Sequence, residues 1–298
     1  MFKITSSNKA PIYLRLMGGL GNQLFQYAAG RSLADKWDVE LVIDDRYVRR
    51  KSHHTGLALD AFNIRARLMG NSERQGFSEV KIRLARWFKK VIRPLGKVFW
   101  ETQYNFDPSM DTTPVGQLMI GFWQSEKYMY DRHQLRLDFE LKAPLTEPAQ
   151  KLSEVIDAVE SVALHVRRGD YLKDQKTNAR HGLCSQSYYQ SAIDLVLAEK
   201  PKAEFFVFSD DPKWVETHLQ LPLQCTYVSA SNIAAQEDLV LISGCKHQII
   251  ANSTFSWWGA WLNNNCDKIV VCPTPWFDDS TIASQDLLPA NWHQLAKN

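Results

Sequence analysis

Short apolar runs alternate with stretches of helical periodicity through the second half of the chain. SVALHV (161–166), EFFVFS (204–209), CTYVS (225–229), HQIIA (247–251) and KIVVC (268–272) are short and rich in β-branched and aromatic residues, so they predict buried strands. Between them, SQSYYQSAIDLVLAEK, DPKWVETHL and AQEDLVLISGC carry helical spacing. Strand and helix in alternation predict a parallel sheet with crossover helices, a Rossmann-like unit. The first half opens in the same way: IYLRLM (12–17) as a strand, GGLGNQ (18–23) as a turn, an apolar-rich helix to about Ala34, and VELVID (39–44) as the next strand. QLMIGFW (117–123) is a further strand candidate, and the stretch between is less regular. Pro144 and Pro148, on either side of LTE, mark a linker. The chain therefore reads as two α/β domains, 1–150 and 151–298.

Composition and charge refine this picture without changing it. At 298 residues, 45% hydrophobic and 23% charged, the chain matches a globular protein with a sizeable core. The formal net charge of +2 hides an asymmetry: Lys and Arg against Asp and Glu number 23 to 16 in residues 1–150, but 12 to 17 in 151–298. The five cysteines, Cys184, Cys225, Cys245, Cys266 and Cys272, include no C-x-x-C pair, which argues against a disulfide framework or zinc knuckle and for a reducing compartment. The opening residues lack the apolar core of a secretion signal, and no apolar run is long enough to span a membrane. The expected location is the cytoplasm. Segment 81–99, KIRLARWFKKVIRPLGKVF, has seven basic residues and no acidic one, with Leu84, Phe88, Val91, Ile92 and Leu95 at helical spacing. It reads as a basic amphipathic helix, either docked on the core with its charges solvated or in peripheral contact with an anionic inner-membrane surface. The basic surface is confined and the polar clusters elsewhere suit a small ligand, so nucleic acid is not expected as a partner.

Those clusters follow the strands. In open α/β sheets ligands gather at the carboxyl ends of strands, and here those ends carry Arg167-Arg168-Gly169-Asp170, Ser209-Asp210-Asp211 and Asn252-Ser253-Thr254. Arginine suits a diphosphate, because its planar fork donates two parallel hydrogen bonds and keeps its charge. Neighbouring side chains on an extended run point opposite ways, so one arginine would face a ligand and the other an acid such as Asp170. A salt-bridged surface turn fits the same residues. ANSTFSWWGAW (251–261) runs from a strand into residues that favour a helix N-terminus, where free N–H groups make a phosphate cradle. Plain capping fits these residue types too, and Trp257, Trp258 and Trp261 fit packing. GGLGNQLFQ (18–26) is a second glycine-rich turn but not a Walker loop; Asn22 and Gln23 suit a sugar or phosphate. No D-x-D signature is present, and His53-His54 has no partner at metal-ligand spacing, so no metal is expected.

Taken together, GGLGNQLFQYA, HVRRGDY and IIANSTFSWWGAWL, with GFWQSEKY (121–128) and VFSDDP (207–212), resemble the bacterial-type α-1,2-fucosyltransferases, glycosyltransferase family 11, over nearly the whole chain. The resemblance implies a GT-B architecture, two Rossmann-like domains facing across a cleft. It implies transfer of L-fucose from GDP-β-L-fucose to O2 of a galactose, with inversion and without a metal or other cofactor. The acceptor would be a galactose-terminated oligosaccharide or a lipid-linked glycan such as an O-antigen repeat. Arg167 would bind the β-phosphate with Arg168 in support, and His165 and Asp211 would line the nucleotide site. Asp238 would accept from guanine N1 and N2. Asn252, Ser253, Thr254, Phe255 and Ser256 would surround the diphosphate and fucose. Gly19, Gly21, Asn22 and Gln23 would close over the sugar from the first domain, and acceptor choice would lie near His53, His54, Trp123 and Gln124. For the base that inversion needs, Asp170 leads and Asp174 is an alternative, Gln175 standing where related α-1,6 enzymes have a glutamate; a dissociative reaction with little need of a base is the third option. Another linkage (α-1,3 or α-1,6), or a non-catalytic glycan-binding protein on the same scaffold, fits the same motifs less fully.

Overall fold

A computed structural model describes residues 9–50, 56–82, 97–169, 172, 175–228 and 233–298. The chain divides into two compact units, Met1–Lys142 and Ala143–Asn298. Both are α/β with a wholly parallel sheet, as the alternating pattern predicts.

In the first unit the strands are β1 (Ile12–Arg15), β2 (Leu41–Asp44), β3 (Arg67–Leu68), β4 (Val98–Trp100) and β5 (Leu118–Ile120), in the order β3-β2-β1-β5-β4. Helices α1 (Leu20–Trp37), α2 (Arg46–Arg50), α3 (Asn71–Gly76) and α4 (Arg132–Asp138) connect or flank them. α1 is buried nearly all round, and Gly30 lets it approach the sheet: a Cβ there would stand 3.1 Å from Leu14 and 3.2 Å from Leu41. Most of the basic segment 81–99 (83–96) lies outside the described residues. Its last residues are not helical, because Val98 and Phe99 pair with Leu118 and Met119 in β4.

The second unit begins before residue 150. Its first helix, α5 (Glu147–Ala158), carries Pro148 in its first turn, where a missing N–H costs nothing, and packs Ala149 and Ile156 into the second unit's core. The linker therefore ends at the helix start, and the boundary falls at Lys142/Ala143 rather than at 150. Strands β6 (Ser161–Val166), β7 (Glu204–Ser209), β8 (Cys225–Tyr227), β9 (His247–Ile249), β10 (Val270–Thr274) and β11 (His293–Ala296) are ordered β11-β10-β9-β6-β7-β8. Helices α6 (Gln175–His181), α7 (Gln186–Glu199), α8 (Pro212–His218), α9 (Ala235–Gly244) and α10 (Thr254–Leu262) complete the unit. This is the doubly wound Rossmann order. The chain winds outward from β6 in one direction, then returns to β9 and winds in the other.

Each sheet thus has one place where the strand order reverses: between β1 and β5 in the first unit, and between β6 and β9 in the second. At such a point the loops leave in opposite directions and open a crevice at the carboxyl ends of the strands. β1 leads into GGLGNQ and β5 into GFWQS; β6 leads into Arg167-Arg168-Gly169 and β9 into Asn252-Ser253. The motifs singled out from sequence therefore fall in pairs at the two reversal points.

Candidate active site

The carboxyl end of β6 is held by β7. Asp210 accepts the Arg168 backbone N–H at 2.8 Å and lies 3.4 Å from Arg167 Nε. A Cβ at Gly169 would come within 3.3 Å of the Asp210 carboxyl, so only a minimal residue fits there comfortably. Arg168 stacks over Trp214, its Cζ 4.0 Å from the ring centroid, with Asp211 3.9 Å from its Nε. Arg167 is 36% exposed and Arg168 16%. The arginines thus take an acid each from the Asp210-Asp211 pair at the end of β7. Asp211 also caps α8, accepting from the Trp214 N–H at 3.2 Å, so its carboxylate organises the arginine loop. Asp170 and Asp174 lie outside the described residues, as do His53 and His54; Gln175 is exposed at the start of α6.

Across the reversal point, β9 runs into α10. Asn252 is buried, and its Nδ2 donates to the carbonyls of His181 (2.7 Å), Gly182 (3.1 Å) and Trp276 (3.2 Å). Its amide fastens neighbouring loops. Ser256 is also buried, its Oγ turned back to the carbonyls of Ala251 and Ser253. Ser253 precedes α10 without a side-chain cap bond, leaving the first-turn N–H groups to a ligand or solvent. Phe255 is partly buried and meets the ring of His165, with centroids 5.8 Å apart, so these two expected donor-site residues do come together. Trp257, Trp258 and Trp261 are core residues: Trp257 stacks on Trp261 and donates Nε1 to the Leu287 carbonyl. Gly259 admits α9 so closely that a Cβ would stand 2.3 Å from Ile242.

Asp238 sits in the first turn of α9, near the same edge of the sheet. It is partly buried, and among the described residues its Oδ1 has no hydrogen-bond partner. Burial, and secondarily the neighbouring Glu237 charge, push its carboxyl up to about 6. Glu237 differs because it caps the helix, accepting from the N–H groups of Thr146 (2.6 Å) and Ala234 (3.3 Å), which holds its carboxyl below the ordinary range despite burial. Of the adjacent pair, one carboxylate is spent on structure and the other is held ready for donors.

In the first unit, Gly18 takes φ 77, and a Cβ there would stand 2.4 Å from the Asn22 amide nitrogen. Gly19 precedes α1, and Gly21 lies buried in its first turn. Gln23 is fully buried: Nε2 donates to the carbonyls of Gly18 and Gly56, while Oε1 accepts from the Ala58 N–H. It braces the loop. Gln26 does the same for Met17, receiving its N–H at 2.9 Å and donating to its carbonyl at 3.2 Å. Asn22 is half-buried and accepts from Gln124 Nε2 at 2.9 Å across the β1/β5 reversal point. Trp123 is buried and presents no open face. Sequence alone gave no role to Gln26 or Glu101, whose partners are backbone groups. Among the described residues, no group of three or more His, Cys, Asp or Glu side chains is placed to hold a metal, and no helix is long and apolar enough to cross a membrane.

A family model described as glycosyl transferase family 11 matches residues 11–296. An alpha-1,2-colitosyltransferase of Escherichia coli is 34% identical over 290 residues, covering 96% of this chain and 99% of its own. The O-antigen biosynthesis glycosyltransferase WbnK of the same species is 32% identical over 292 residues, covering 89% of this chain and 95% of its own. A galactoside alpha-(1,2)-fucosyltransferase 1 of Leontocebus fuscicollis is 26% identical over 198 residues, covering 56% of this chain and 54% of its own. The family match runs from β1 to β11 and takes in both reversal points with their motifs; the chain belongs to glycosyl transferase family 11.

Proposed function

We propose that this chain is an inverting galactoside α-1,2-L-fucosyltransferase that uses GDP-β-L-fucose and needs no metal ion. The observation that carries the reading is that the adjacent strands β6 and β9, on either side of the reversal point of the second sheet, lead into Arg167-Arg168 and into the uncapped N-terminus of α10. Guanidinium groups and converging N–H donors are what a leaving diphosphate requires. Asp238 supplies an ionisable acceptor for the N1 and N2 donors of guanine.

In the reaction, the acceptor O2 hydroxyl attacks C1 of fucose from the face opposite the diphosphate. The O2–C1 bond forms as the bond from C1 to the β-phosphate oxygen breaks, and the electron pair leaves with GDP. Arg167 and the α10 N–H groups stabilise that growing charge, the role a divalent cation takes elsewhere. The O2 proton passes to a base, for which we assign Asp170 at the end of HVRRGDY. The acceptor is a terminal galactose on an oligosaccharide or lipid-linked glycan, and the α-1,2 linkage follows the names of two of the relatives.

A second reading is favoured by the 34% identity to a colitosyltransferase. Colitose is L-fucose without its 3-hydroxyl, so both GDP-sugars offer the same diphosphate, base and reacting carbon. Initial rates with GDP-fucose and GDP-colitose, a β-galactoside and EDTA separate the readings. Transfer of fucose in EDTA at the higher kcat/KM is the expected result. Preference for GDP-colitose assigns the second donor, and loss of transfer that added magnesium restores rejects the metal-free mechanism.

A further inference from the structure

The first unit contains a buried side chain whose chemistry is incomplete. Gln124 is 7% exposed, and its Nε2 donates to Asn22 Oδ1. Among the described residues, its Oε1 has no hydrogen-bond partner. A buried acceptor left unpaired is costly, so one that persists marks a place where a donor arrives. The Asn22–Gln124 bond links the loops leaving β1 and β5, the two strands between which the sheet reverses order. Amide paired with amide leaves a carbonyl oxygen, Gln124 Oε1, and an NH2 group, Asn22 Nδ2, outside the bond, with the second N–H of Gln124 Nε2 also left over. Turning both amides over leaves the same complement. That pair matches a hydroxyl group, which donates and accepts at once.

The turn carrying Gln124 is held by several hydrogen bonds. Glu101, just beyond β4, accepts the Phe122 N–H at 2.7 Å and the Trp123 N–H at 2.8 Å, one on each carboxylate oxygen. A Cβ at Gly121 would lie 2.3 Å from the Glu101 Cβ, so the glycine is what lets the carboxylate reach the turn. Trp123 is buried in left-handed backbone at φ 49, a conformation disfavoured for a bulky residue and kept only where surroundings enforce it. The Ser125 N–H then closes on the Trp123 carbonyl at 2.8 Å. Gln124 is therefore fixed from both sides.

We propose that Gln124 is a specificity-determining residue whose Oε1 accepts a hydrogen bond from one pyranose hydroxyl of the substrates, with Asn22 completing the contact and Glu101 as a positioning residue. This rests on the glycosyl-transfer reading for its substrate class. The hydroxyl belongs either to the acceptor galactoside or to the donor sugar.

The test couples residue to hydroxyl. Wild type and Gln124→Met, which keeps the side-chain volume but has no amide, are assayed with galactosides each lacking one hydroxyl and with GDP-fucose analogues each lacking one. Wild type should discriminate against one deoxy sugar by roughly 10- to 100-fold in kcat/KM, and that penalty should collapse to about 2-fold in Gln124→Met. Which series shows the collapse identifies acceptor or donor. Gln124→Glu, which keeps an oxygen there while the Asn22 amide turns to donate, should retain the discrimination. Asn22→Ala, at a partly exposed position, is a second route to its loss should Gln124→Met not fold. An active wild type whose penalties are all unchanged in the folded variants overturns the inference and leaves the transferase intact. Calorimetry with the same galactosides and GDP-sugar analogues supplies the converse: deoxy-dependent binding lost in Gln124→Met, without transfer by wild type, rejects the transferase and keeps the contact. Absence of both binding and transfer rejects both.

Discussion

Replacing Asp238 with Asn should weaken donor binding while making the free protein more stable. The carboxyl lies in the first turn of α9 with one oxygen unpartnered among the described residues, and burial raises it to about 6. Because the folded value exceeds the unfolded one, the folded protein holds an extra proton through that window, and stability falls as pH rises from the ordinary carboxyl range towards 6. A shift of roughly 2 units corresponds to ~3 kcal/mol at most; halved or more for partial exposure, it leaves ~1 kcal/mol that Asp238→Asn recovers at neutral pH. That is a Tm increase of ~2 °C. Guanine binding selects the ionised carboxylate, so affinity should drop as the group protonates. Between about pH 7.5 and pH 5 the Kd for GDP-fucose should rise ~10-fold in wild type and stay within ~2-fold in Asp238→Asn, which binds ~10- to 100-fold more weakly at neutral pH. GDP-fucose is the right ligand, since its doubly esterified diphosphate does not titrate in this range. Calorimetry across pH reads the affinity, and differential scanning reads the Tm. A pH-independent wild-type Kd, or a variant that binds as wild type does, removes Asp238 from the guanine site.

Other expectations follow from the same geometry. Arg167→Ala should reduce kcat/KM at least ~100-fold with an unchanged far-UV spectrum and Tm, and Arg167→Lys should recover only part, because a point charge cannot copy the guanidinium fork; unchanged kinetics would contradict the phosphate contact. Gly259→Ala should destabilise the protein by about 1–3 kcal/mol in urea titrations, since its Cβ would overlap Ile242 at 2.3 Å. Glu160, bonded to His247 Nε2 at 2.8 Å and near Lys200, has its carboxyl lowered to about 2, the His247 hydrogen bond being the larger cause. Its folded value lies below the unfolded one, so its stabilisation is present above the ordinary carboxyl range and is lost as pH falls towards 2; Glu160→Gln should flatten that part of the acid-unfolding curve.

The strands that read clearly in sequence are those buried in the sheet interiors. β6 and β7 match their apolar runs end to end, because a parallel strand covered on both faces has no polar alternation to blur it. β11 carries HQLA and is largely exposed at a sheet edge, and β3 is a two-residue edge pairing, so neither leaves an apolar signature. β4 was obscured by the basic run before it. At the site, Arg167, Arg168 and the start of α10 were legible because a strand end followed by particular residue types constrains what can stand there. The distribution of labour within the motifs was not. Asn252, Ser256 and Gln23 are of the type that contacts a ligand, yet Asn252 Nδ2, the Ser256 hydroxyl and the Gln23 amide are spent on backbone groups that sequence does not bring near. Gln124 shows the reverse: its meaning lies in a bond to a residue 102 positions away and in an oxygen left over.

The most direct test is the structure of one product. Purified protein incubated with GDP-fucose, a β-galactoside and EDTA should yield a single fucosylated glycan. Its NMR spectrum should show an α-anomeric fucose proton correlated across the linkage to C2 of galactose, and the GDP released should match it mole for mole. Attachment at any other carbon, a β-anomer, or GDP-fucose left unconsumed by folded protein contradicts the proposed reaction.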